Sequence, residues 1–437
     1  MLARFQQHIE QEFPFILGKK ILIAISGGID SVVLAHLFDQ VQLDVSFAHC
    51  NFKLRDEDSD QDEVFVTNLA KDLGILTHTK SFNTQEYATK NKTSIQIAAR
   101  DLRYNWFQEL ANTHSYNFIA TAHHADDNLE TFFINLSRGT GLEGLTGIPS
   151  INNNIIRPLL PFSREEIEQY AIENNITWSE DKSNADTKYL RNKIRHQLTP
   201  ILKEINPNFI HSFNKTSTFL TQAQQIVDDK VEALKVEICS RKDDYLRFDI
   251  EKIKQLSNPK AYLYQILKSY DFTEWTDVYK LLTAQSGKQI ATKNHILLKD
   301  RDFLLLLRTG KISERQDTQI IIDSEVKKIT KPIQLSFEHV LKKSVLNKNI
   351  IYVDKKSLNF PLYLRKWRTG DYFYPAGMKG KKKLSKYFKD EKIPIFEKQN
   401  IWLLCTSDDK IIWVVGKRQD NRFLPHSKTT ELIQISI

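Results

Sequence analysis

The sequence has few cysteines and no long apolar run. Its three cysteines, Cys50, Cys239 and Cys405, lie far apart, which excludes a Cys-x-x-Cys site and makes a disulfide framework implausible. No apolar stretch approaches the roughly 20 residues that a membrane helix needs. The first fifteen residues lack the continuous apolar core and cleavage site of a secretory signal. We therefore expect a cytoplasmic protein with no membrane partner.

Low-complexity tracts are also missing, so the chain is expected to fold throughout. Its 437 residues are 41% hydrophobic and 27% charged, and this length predicts two or three domains. The net charge of +8 favours a polyanionic partner, because Lys and Arg displace counterions from phosphates. Many basic proteins bind no nucleic acid, so charge alone leaves the partner open.

Short apolar runs alternate with helical patterns over residues 21–137. The runs at 21–25, 43–48, 76–80 and 118–122 predict strands, and the segments 31–38, 63–73, 95–110 and 129–136 predict helices. This alternation predicts an α/β fold with a doubly wound parallel sheet. Ligands bind at the carboxyl ends of such strands, where three polar clusters stand. The clusters begin at Ser26, His49 and His123.

The first cluster is a glycine-rich turn between a strand and a helix, Ser26-Gly27-Gly28-Ile29-Asp30-Ser31. Its backbone N–H groups and the helix dipole favour a phosphate, although a plain strand-to-helix turn has the same glycines. The chain lacks the Gly-x-x-x-x-Gly-Lys-Ser/Thr pattern that holds phosphates in Walker-type proteins. Hydrolysis of a nucleotide between its β and γ phosphates is therefore not expected.

Two further motifs carry charge near the same sheet edge. In His123-His124-Ala125-Asp126-Asp127-Asn128-Leu129-Glu130, the carboxylates of Asp127 and Glu130 share a helix face, and a capping box is the structural alternative. No zinc-type spacing is present, so Mg²⁺ accompanying ATP is the expected metal. Arg100 and Arg103 lie on one helical flank and could bond phosphate or form a solvated face.

Taken in order, these motifs resemble one enzyme family. Ser-Gly-Gly-x-Asp-Ser resembles the signature of the PP-loop ATP-pyrophosphatase superfamily. Ala-Arg-x-x-Arg-Tyr, His-His-x-x-Asp-x-x-Glu-Thr, Arg-Gly-Thr-Gly-Leu at 138–142, and Arg-Asn-x-Ile-Arg at 191–195 make the chain similar to the tRNA(Ile)-lysidine synthetase family. The likeness is dense over 20–205, thins through the middle and returns at 365–389. Phe52 departs from it, because the family usually has His there.

The resemblance implies ATP and Mg²⁺ as cofactors, with L-lysine and a CAU-anticodon tRNA(Ile) as partners. The wobble cytidine would be adenylated at O2, and lysine would then displace AMP at C2 to give lysidine. Asp127 and Glu130 could bind the lysine ammonium, whose unperturbed pKa is about 10.4. The oligomeric state stays open, a homodimer included.

The residue roles fall into three sets. The catalytic candidates are Asp30, Arg103, His123, Asp127 and Glu130. The ATP-binding candidates are Ser26, Gly27, Gly28, Ile29, Asp30, Ser31 and His49, with Asp30 also as metal ligand. The candidates for tRNA binding are Arg55, Arg100, Arg191, Asn192, Arg195, Arg365, Arg368, Lys382 and Lys386.

The same reasoning divides the chain into four parts. Residues 1–207 are expected to form the PP-loop catalytic domain, 208–312 a mostly helical middle domain with a hairpin over 289–307, and 313–356 a linker region. Residues 357–437 are expected to form a small basic α+β domain that binds tRNA. In 365–392, ten Lys or Arg face three acids with aromatic residues interleaved, a pattern that suits RNA or a solubilising surface.

Three rival functions remain at this point. A PP-loop tRNA thiolase would usually need reactive or cluster-binding cysteines, and Cys50 is the one cysteine in the catalytic region. An amidating synthetase for small molecules would not need the basic, aromatic C-terminal segment. An inactive RNA-binding protein would have no use for an intact loop at 26–31 together with Asp127 and Glu130.

Overall fold

The computed structural model describes residues 1–54, 56–179, 190–242, 245–309, 319–342, 348–427 and 429–437. The chain divides into two compact units, Met1–Asp228 and Asp229–Ile437, and the division falls inside one long helix. No helix in these described ranges is both long and apolar enough to cross a membrane.

The first unit is built around a six-stranded sheet. Its strands are β1 (Ile21–Ala24), β2 (Val45–Asn51), β3 (Leu76–Ser81), β4 (Phe118–Ala120), β5 (Ile151–Asn152) and β6 (Ile155–Ile156). Their order is β3-β2-β1-β4-β6-β5, and every neighbouring pair is parallel except β5 with β6. The strand order reverses between β1 and β4, so the carboxyl ends of these strands open a crevice there.

Helices cover both faces of this sheet. They are α1 (Leu2–Glu12), α2 (Ile29–Gln40), α3 (Asp56–Leu73), α4 (Thr84–Asn91), α5 (Ile95–His114), α6 (Ala125–Arg138), α7 (Leu142–Leu145) and α8 (Arg164–Glu173). Alternate residues of β1 enter different cores: Ile21 and Ile23 pack with α1, α2 and α8, whereas Leu22 packs with α5. The predicted doubly wound α/β fold is confirmed.

The rest of the first unit is helical. After the undescribed residues 180–189 come α9 (Leu190–Lys193), a π-helical turn (Ile194–Leu198), α10 (Thr199–Ile205) and the start of α11 (Phe209–Ile238). Phe213 of α11 packs against Ala125 and Leu129, so this helix buries one face of α6.

The second unit begins with a mixed region. Helices α12 (Ile250–Lys254), α13 (Pro259–Leu267) and α14 (Trp275–Lys280) accompany the antiparallel sheet β7-β8-β11-β10-β9. Its strands are β7 (Cys239–Lys242), β8 (Tyr245–Asp249), β9 (Gln289–Ala291), β10 (His295–Asp300) and β11 (Phe303–Arg308). The predicted hairpin is β10 with β11. The additional strands escaped prediction because β7 is short, charged and exposed at the sheet edge.

In place of the predicted linker, the described residues of 313–356 form four strands: β12 (Ile320–Ile322), β13 (Lys328–Ile329), β14 (Leu335–Val340) and β15 (Ile350–Asp354). They complete two antiparallel sheets with later strands, in the orders β12-β16-β19-β20-β21 and β13-β14-β22-β15. The linker prediction is therefore wrong for these residues. The strands were missed because β12 and β13 have only three and two residues and the segments between the strands are rich in lysine.

The remaining elements form the expected small α+β structure. They are β16 (Leu362–Lys366), β17 (Tyr372–Phe373), β18 (Lys382–Lys383), α15 (Leu384–Asp390), α16 (Ile395–Asn400), β19 (Trp402–Cys405), β20 (Ile411–Val414), β21 (Arg418–Gln419) and β22 (Leu432–Ser436). Leu404 of β19 enters the core that the two sheets share, and Leu403 on the opposite face packs with Phe388 of α15.

Candidate functional site

A tight loop links β1 to α2, with Gly28 as the N-terminal cap of the helix. The Ser31 hydroxyl accepts a hydrogen bond from the Ser26 N–H (3.1 Å) and donates one to the Gly28 carbonyl (2.9 Å). Gly27 has a φ of +95°, which an L side chain rarely adopts. The loop is thus internally braced, while the N–H groups of Ile29 and Asp30 at the start of α2 have no described partner and can bind an anion.

The segment after α8 forms hydrogen bonds that support the loop. The Ser179 N–H donates to the Gly27 carbonyl at 2.9 Å, and the Ser179 hydroxyl donates to Asp62 Oδ1 at 2.5 Å. A Cβ added at Gly27 would meet Phe65, Val66 and Ser179 at ordinary contact distances of 3.6 Å. Glycine is therefore required here by backbone conformation and not by lack of space.

Asp30, at the start of α2, connects the loop to other parts of the unit. Arg164 Nη1 donates to Asp30 Oδ1, and His124 Nε2 lies 3.7 Å from the same oxygen. Burial alone would lower the pKa of His124, but Asp127, Asp126 and Asp30 together raise it above its ordinary value. Three carboxylates thus favour the protonated form of His124. Neither Arg164 nor His124 was among the predicted site residues.

Asp126 and His123 of the same motif both have lowered pKa values, which leaves the first charged and the second neutral. Burial opposes ionisation of Asp126, yet His124, the Arg164 N–H at 2.8 Å and Lys203 hold its pKa at about 2. Burial lowers the pKa of His123 to about 4, although Asp127 raises it in part. Asp126 is therefore a permanent carboxylate, and His123 is a neutral imidazole at physiological pH.

Asp127 and Glu130 share two arginines that lie sixty residues further along the chain. Arg191 Nε and Arg195 Nε donate to the two oxygens of Glu130, each at 2.6 Å. Their Nη2 groups approach Asp127 Oδ1 at 3.3 and 3.4 Å. Arg195 stands in the π-helical turn, a distortion that is frequent at functional sites. The structure thus brings these four predicted residues together.

Accessibility separates the two carboxylates. The Glu130 side chain is 1% exposed with both oxygens engaged, whereas that of Asp127 is 15% exposed. A substrate ammonium would reach Glu130 only if an arginine left it. Direct lysine binding, predicted for both residues, is therefore better suited to Asp127.

His49 lies near the carboxyl end of β2, beside the loop. Its Nδ1 lies 3.0 Å from the Ile25 carbonyl, which only an N–H at this position can bond, so Nε2 is left as an acceptor. That Nε2 is buried and has no hydrogen-bond partner among the described residues. Burial lowers the pKa of His49, so the ring stays neutral.

The two predicted arginines belong to α5, which covers the other face of the sheet from α2. Both are exposed; the Arg103 guanidinium lies 5.2 Å from the ring centre of Phe52, and that of Arg100 lies 4.8 Å from Tyr104. The positive charge of Arg103 acts on the titration of His49. Arg100 and Arg103 make no described contact with Arg191 or Arg195.

The predicted tRNA-binding residues of the second unit differ in exposure. Arg365 is 1% exposed: its guanidinium donates two bonds of 2.9 Å to Asp371, one of 2.8 Å to Asp409 and one to the Lys366 carbonyl. The prediction that Arg365 binds tRNA is wrong, because its donors are used inside the fold. Arg368 and Lys386 are exposed, and Lys382 is half-buried beside Asp390.

Two other predicted residues add less. Arg55 lies outside the described residues. So do residues 181–186, which belong to the segment 20–205 where the family likeness is dense. Asn192 is half-buried on α9 beside Arg191.

A metal has no independent site in the described part of the chain, where no group of three His, Cys, Asp or Glu side chains could hold one. The single carboxylate of Asp30 is sufficient for a Mg²⁺ that arrives on nucleotide phosphates, because Mg²⁺ is commonly held by one or two carboxylates plus phosphate oxygens. Burial raises the pKa of Cys50 to about 12, so its thiol is not a nucleophile for sulfur chemistry.

The parallel sheet and its braced glycine loop define a PP-loop protein, a class that uses ATP. The sequence model of the PP-loop domain matches residues 1–202, that of the TilS substrate binding domain residues 241–309, and that of the TilS substrate C-terminal domain residues 362–436.

Curated relatives match over nearly their whole length. A tRNA(Ile)-lysidine synthase of Parabacteroides distasonis is 38% identical, over 100% of this chain and 99% of its own. Proteins of the same name from Bacteroides thetaiotaomicron and Porphyromonas gingivalis W83 are 37% and 34% identical, over 98% and 92% of this chain and 98% and 90% of their own. The chain belongs to the tRNA(Ile)-lysidine synthase family.

Proposed function

We propose that this protein is an ATP-dependent ligase that joins L-lysine to C2 of the wobble cytidine in a CAU-anticodon tRNA(Ile). Full-length similarity to the family supports this reaction. The observation that carries it is the cluster of Asp127, Glu130, Arg191 and Arg195 beside the loop aspartate Asp30, with His124 between them. Such a site can receive both an anionic nucleotide and a cationic amine.

In the first step, the cytosine O2 attacks the α-phosphorus of ATP, and the bond to pyrophosphate breaks. The N–H groups that follow Gly28 receive the β and γ phosphates as the leaving pyrophosphate. The acceptor Nε2 of His49 suits a hydroxyl or amino group of the nucleoside, since it cannot donate to phosphate. Arg103 stabilises the charge that develops on the α-phosphate. Mg²⁺, when bound at Asp30, would neutralise phosphate charge.

In the second step, the lysine ε-amine attacks C2, and AMP leaves with the oxygen that was cytosine O2. The amine arrives as an ammonium, because its unperturbed pKa is about 10.4. Asp127 binds that ammonium, and Glu130 holds Arg191 and Arg195 where they can face nucleotide phosphates. His123, the residue next to His124, has a pKa of about 4 and is too weak a base for this ammonium, so the proton is lost to solvent before the free amine attacks.

The exposed cations Arg100, Arg368 and Lys386, together with Lys382, are proposed to contact tRNA phosphates. Aromatic side chains stand close to this charge in the second unit. The Lys381 ammonium lies 3.5 Å from the ring centre of Tyr372. Mixed cationic and aromatic surfaces suit RNA that has both phosphates and unstacked bases.

The decisive experiment is incorporation of radiolabelled L-lysine into an unmodified CAU-anticodon isoleucine tRNA transcript with ATP and Mg²⁺. Initiator methionine tRNA, which has the same anticodon, is the control. We expect ATP-dependent label in the isoleucine tRNA alone. Pyrophosphate exchange without label would retain ATP activation and exclude lysine as the nucleophile.

A further inference from the structure

Aromatic rings line the carboxyl ends of β2 and β3, next to the proposed site. Phe52 follows β2 directly, and Phe82 follows β3. Their ring centres lie 5.8 Å apart with an interplanar angle of 23°, so the rings are stacked. Trp106 of α5 meets Phe82 edge-on at 5.9 Å. The half-buried Phe52 ring is thereby fixed by packing.

Phe52 also contacts Arg103. The guanidinium carbon of Arg103 lies 5.2 Å from the Phe52 ring centre, within the range of a cation–π interaction. No carboxylate in the described ranges forms an ion pair with Arg103. Among the described contacts, the one with the Phe52 ring is therefore the contact that restrains this exposed side chain.

The restraint keeps the charge of Arg103 near the site. The charge of Arg103 contributes a lowering of the pKa of both His49 and Cys50, which are the third-last and second-last residues of β2. A guanidinium held there is directed toward the strand ends that flank the loop at 26–28. An unrestrained arginine at an exposed helix position would lose rotamer freedom on each encounter with substrate.

We propose that Phe52 is a positioning residue, which holds the Arg103 guanidinium ready for the charge that develops on the α-phosphate. The inference rests on the proposed function, because that function gives Arg103 its role. Phe52 itself touches no reacting atom. Its contribution is preorganisation, which lowers the cost of ordering Arg103 in the transition state.

The variant Phe52→Leu keeps an apolar side chain and removes the aromatic face. Loss of the cation–π contact should lower kcat by about 2-fold to 30-fold, where the upper figure applies if bound substrates shield the contact from water. The KM for ATP should change by less, because the interaction is used in the transition state. Phe52→Tyr keeps the ring face and should retain activity.

Phe118→Leu is the matched control, since it removes a half-buried ring that packs on Phe15 and has no described contact with Phe52 or Arg103. The assay is tRNA-dependent ATP–pyrophosphate exchange, measured also in an Arg103→Met background. There Phe52→Leu should have no further effect on kcat. A loss that persists in that background, or an equal loss in Phe118→Leu, would overturn the proposal.

A second readout does not depend on activity. Phenylglyoxal modifies accessible arginines, and mass spectrometry can follow its reaction at Arg103. Phe52→Leu should raise the modification rate of Arg103 by at least about 2-fold, in line with loss of the cation–π restraint, while Phe118→Leu leaves it unchanged. An unchanged rate in Phe52→Leu would refute the positioning role. Absence of exchange in the unaltered protein, with the expected modification rates, would instead refute the proposed function.

Discussion

Replacing Glu130 with Gln tests the most buried charge of the site. The substitution preserves shape but removes the negative charge that faces Arg191 and Arg195. A hydrogen bond to a charged group contributes about 1.5–3 kcal/mol, and breaking a fully buried ion pair costs about 3–5 kcal/mol. The side chains of Arg191 and Arg195 are 41% and 32% exposed, so water compensates for part of this loss. We expect a destabilisation of about 2 kcal/mol.

The measurement is urea unfolding followed by circular dichroism at neutral pH, with the free energy taken from the first-unit transition. Glu165→Gln is the matched control, because Glu165 is 73% exposed and bridges only Lys203. It should cost no more than about 0.5 kcal/mol. If Glu130→Gln unfolds at the same urea concentration as the unaltered protein, the arginine pairs do not stabilise this unit and the reasoning fails.

Three further predictions follow from other parts of the chain. Gly27→Ala should lower the free energy of unfolding by about 1–2 kcal/mol, and with it the thermal midpoint, because an L residue is strained at this φ. The raised pKa of His124 means that its stabilisation is present below pH 6.5 and is lost as pH rises through the folded-state pKa; a His124→Gln variant should show no such fall in urea titrations. Arg365→Met should destabilise the second unit by about 3 kcal/mol, because Asp371 and Asp409 lose the guanidinium that pairs with them, whereas Lys386→Met, at an exposed position, should spare stability and weaken tRNA binding in filter assays.

The sequence predicted the sheet and the meeting of distant motifs at its edge. Alternating apolar runs identify parallel strands because such strands are buried on both faces, as β1 is here. The loop at 26–31 was recognisable because its glycines answer a local backbone requirement, confirmed at Gly27. Local physics of this kind can be read from neighbouring residues alone.

Long-range charge pairing could not be read in the same way. Arg164 follows Ser163 in a Ser-x-x-Glu capping box, so its sequence predicts only a helix start, although its side chain reaches Asp30 134 residues away. Arg365 stands in a basic run that resembles an RNA surface, yet its partner Asp409 lies 44 residues on. Burial decides which of these cations is free for a ligand, and burial depends on the tertiary fold.

The ion pairs explain why separate motifs act as one unit. His124 lies between Asp30 of the loop and Asp127 of α6, and Arg191 and Arg195 extend the chain of contacts to α9 and the π-helical turn. Contacting charges couple, so the effects of single changes will not add. In the proposed reaction, nucleotide phosphates would compete with Asp127 and Glu130 for the two arginines, and an arriving ammonium would be attracted to whichever carboxylate is released. Residue roles are therefore best assigned by measuring adenylation and lysine transfer separately in each variant and in pairs of variants.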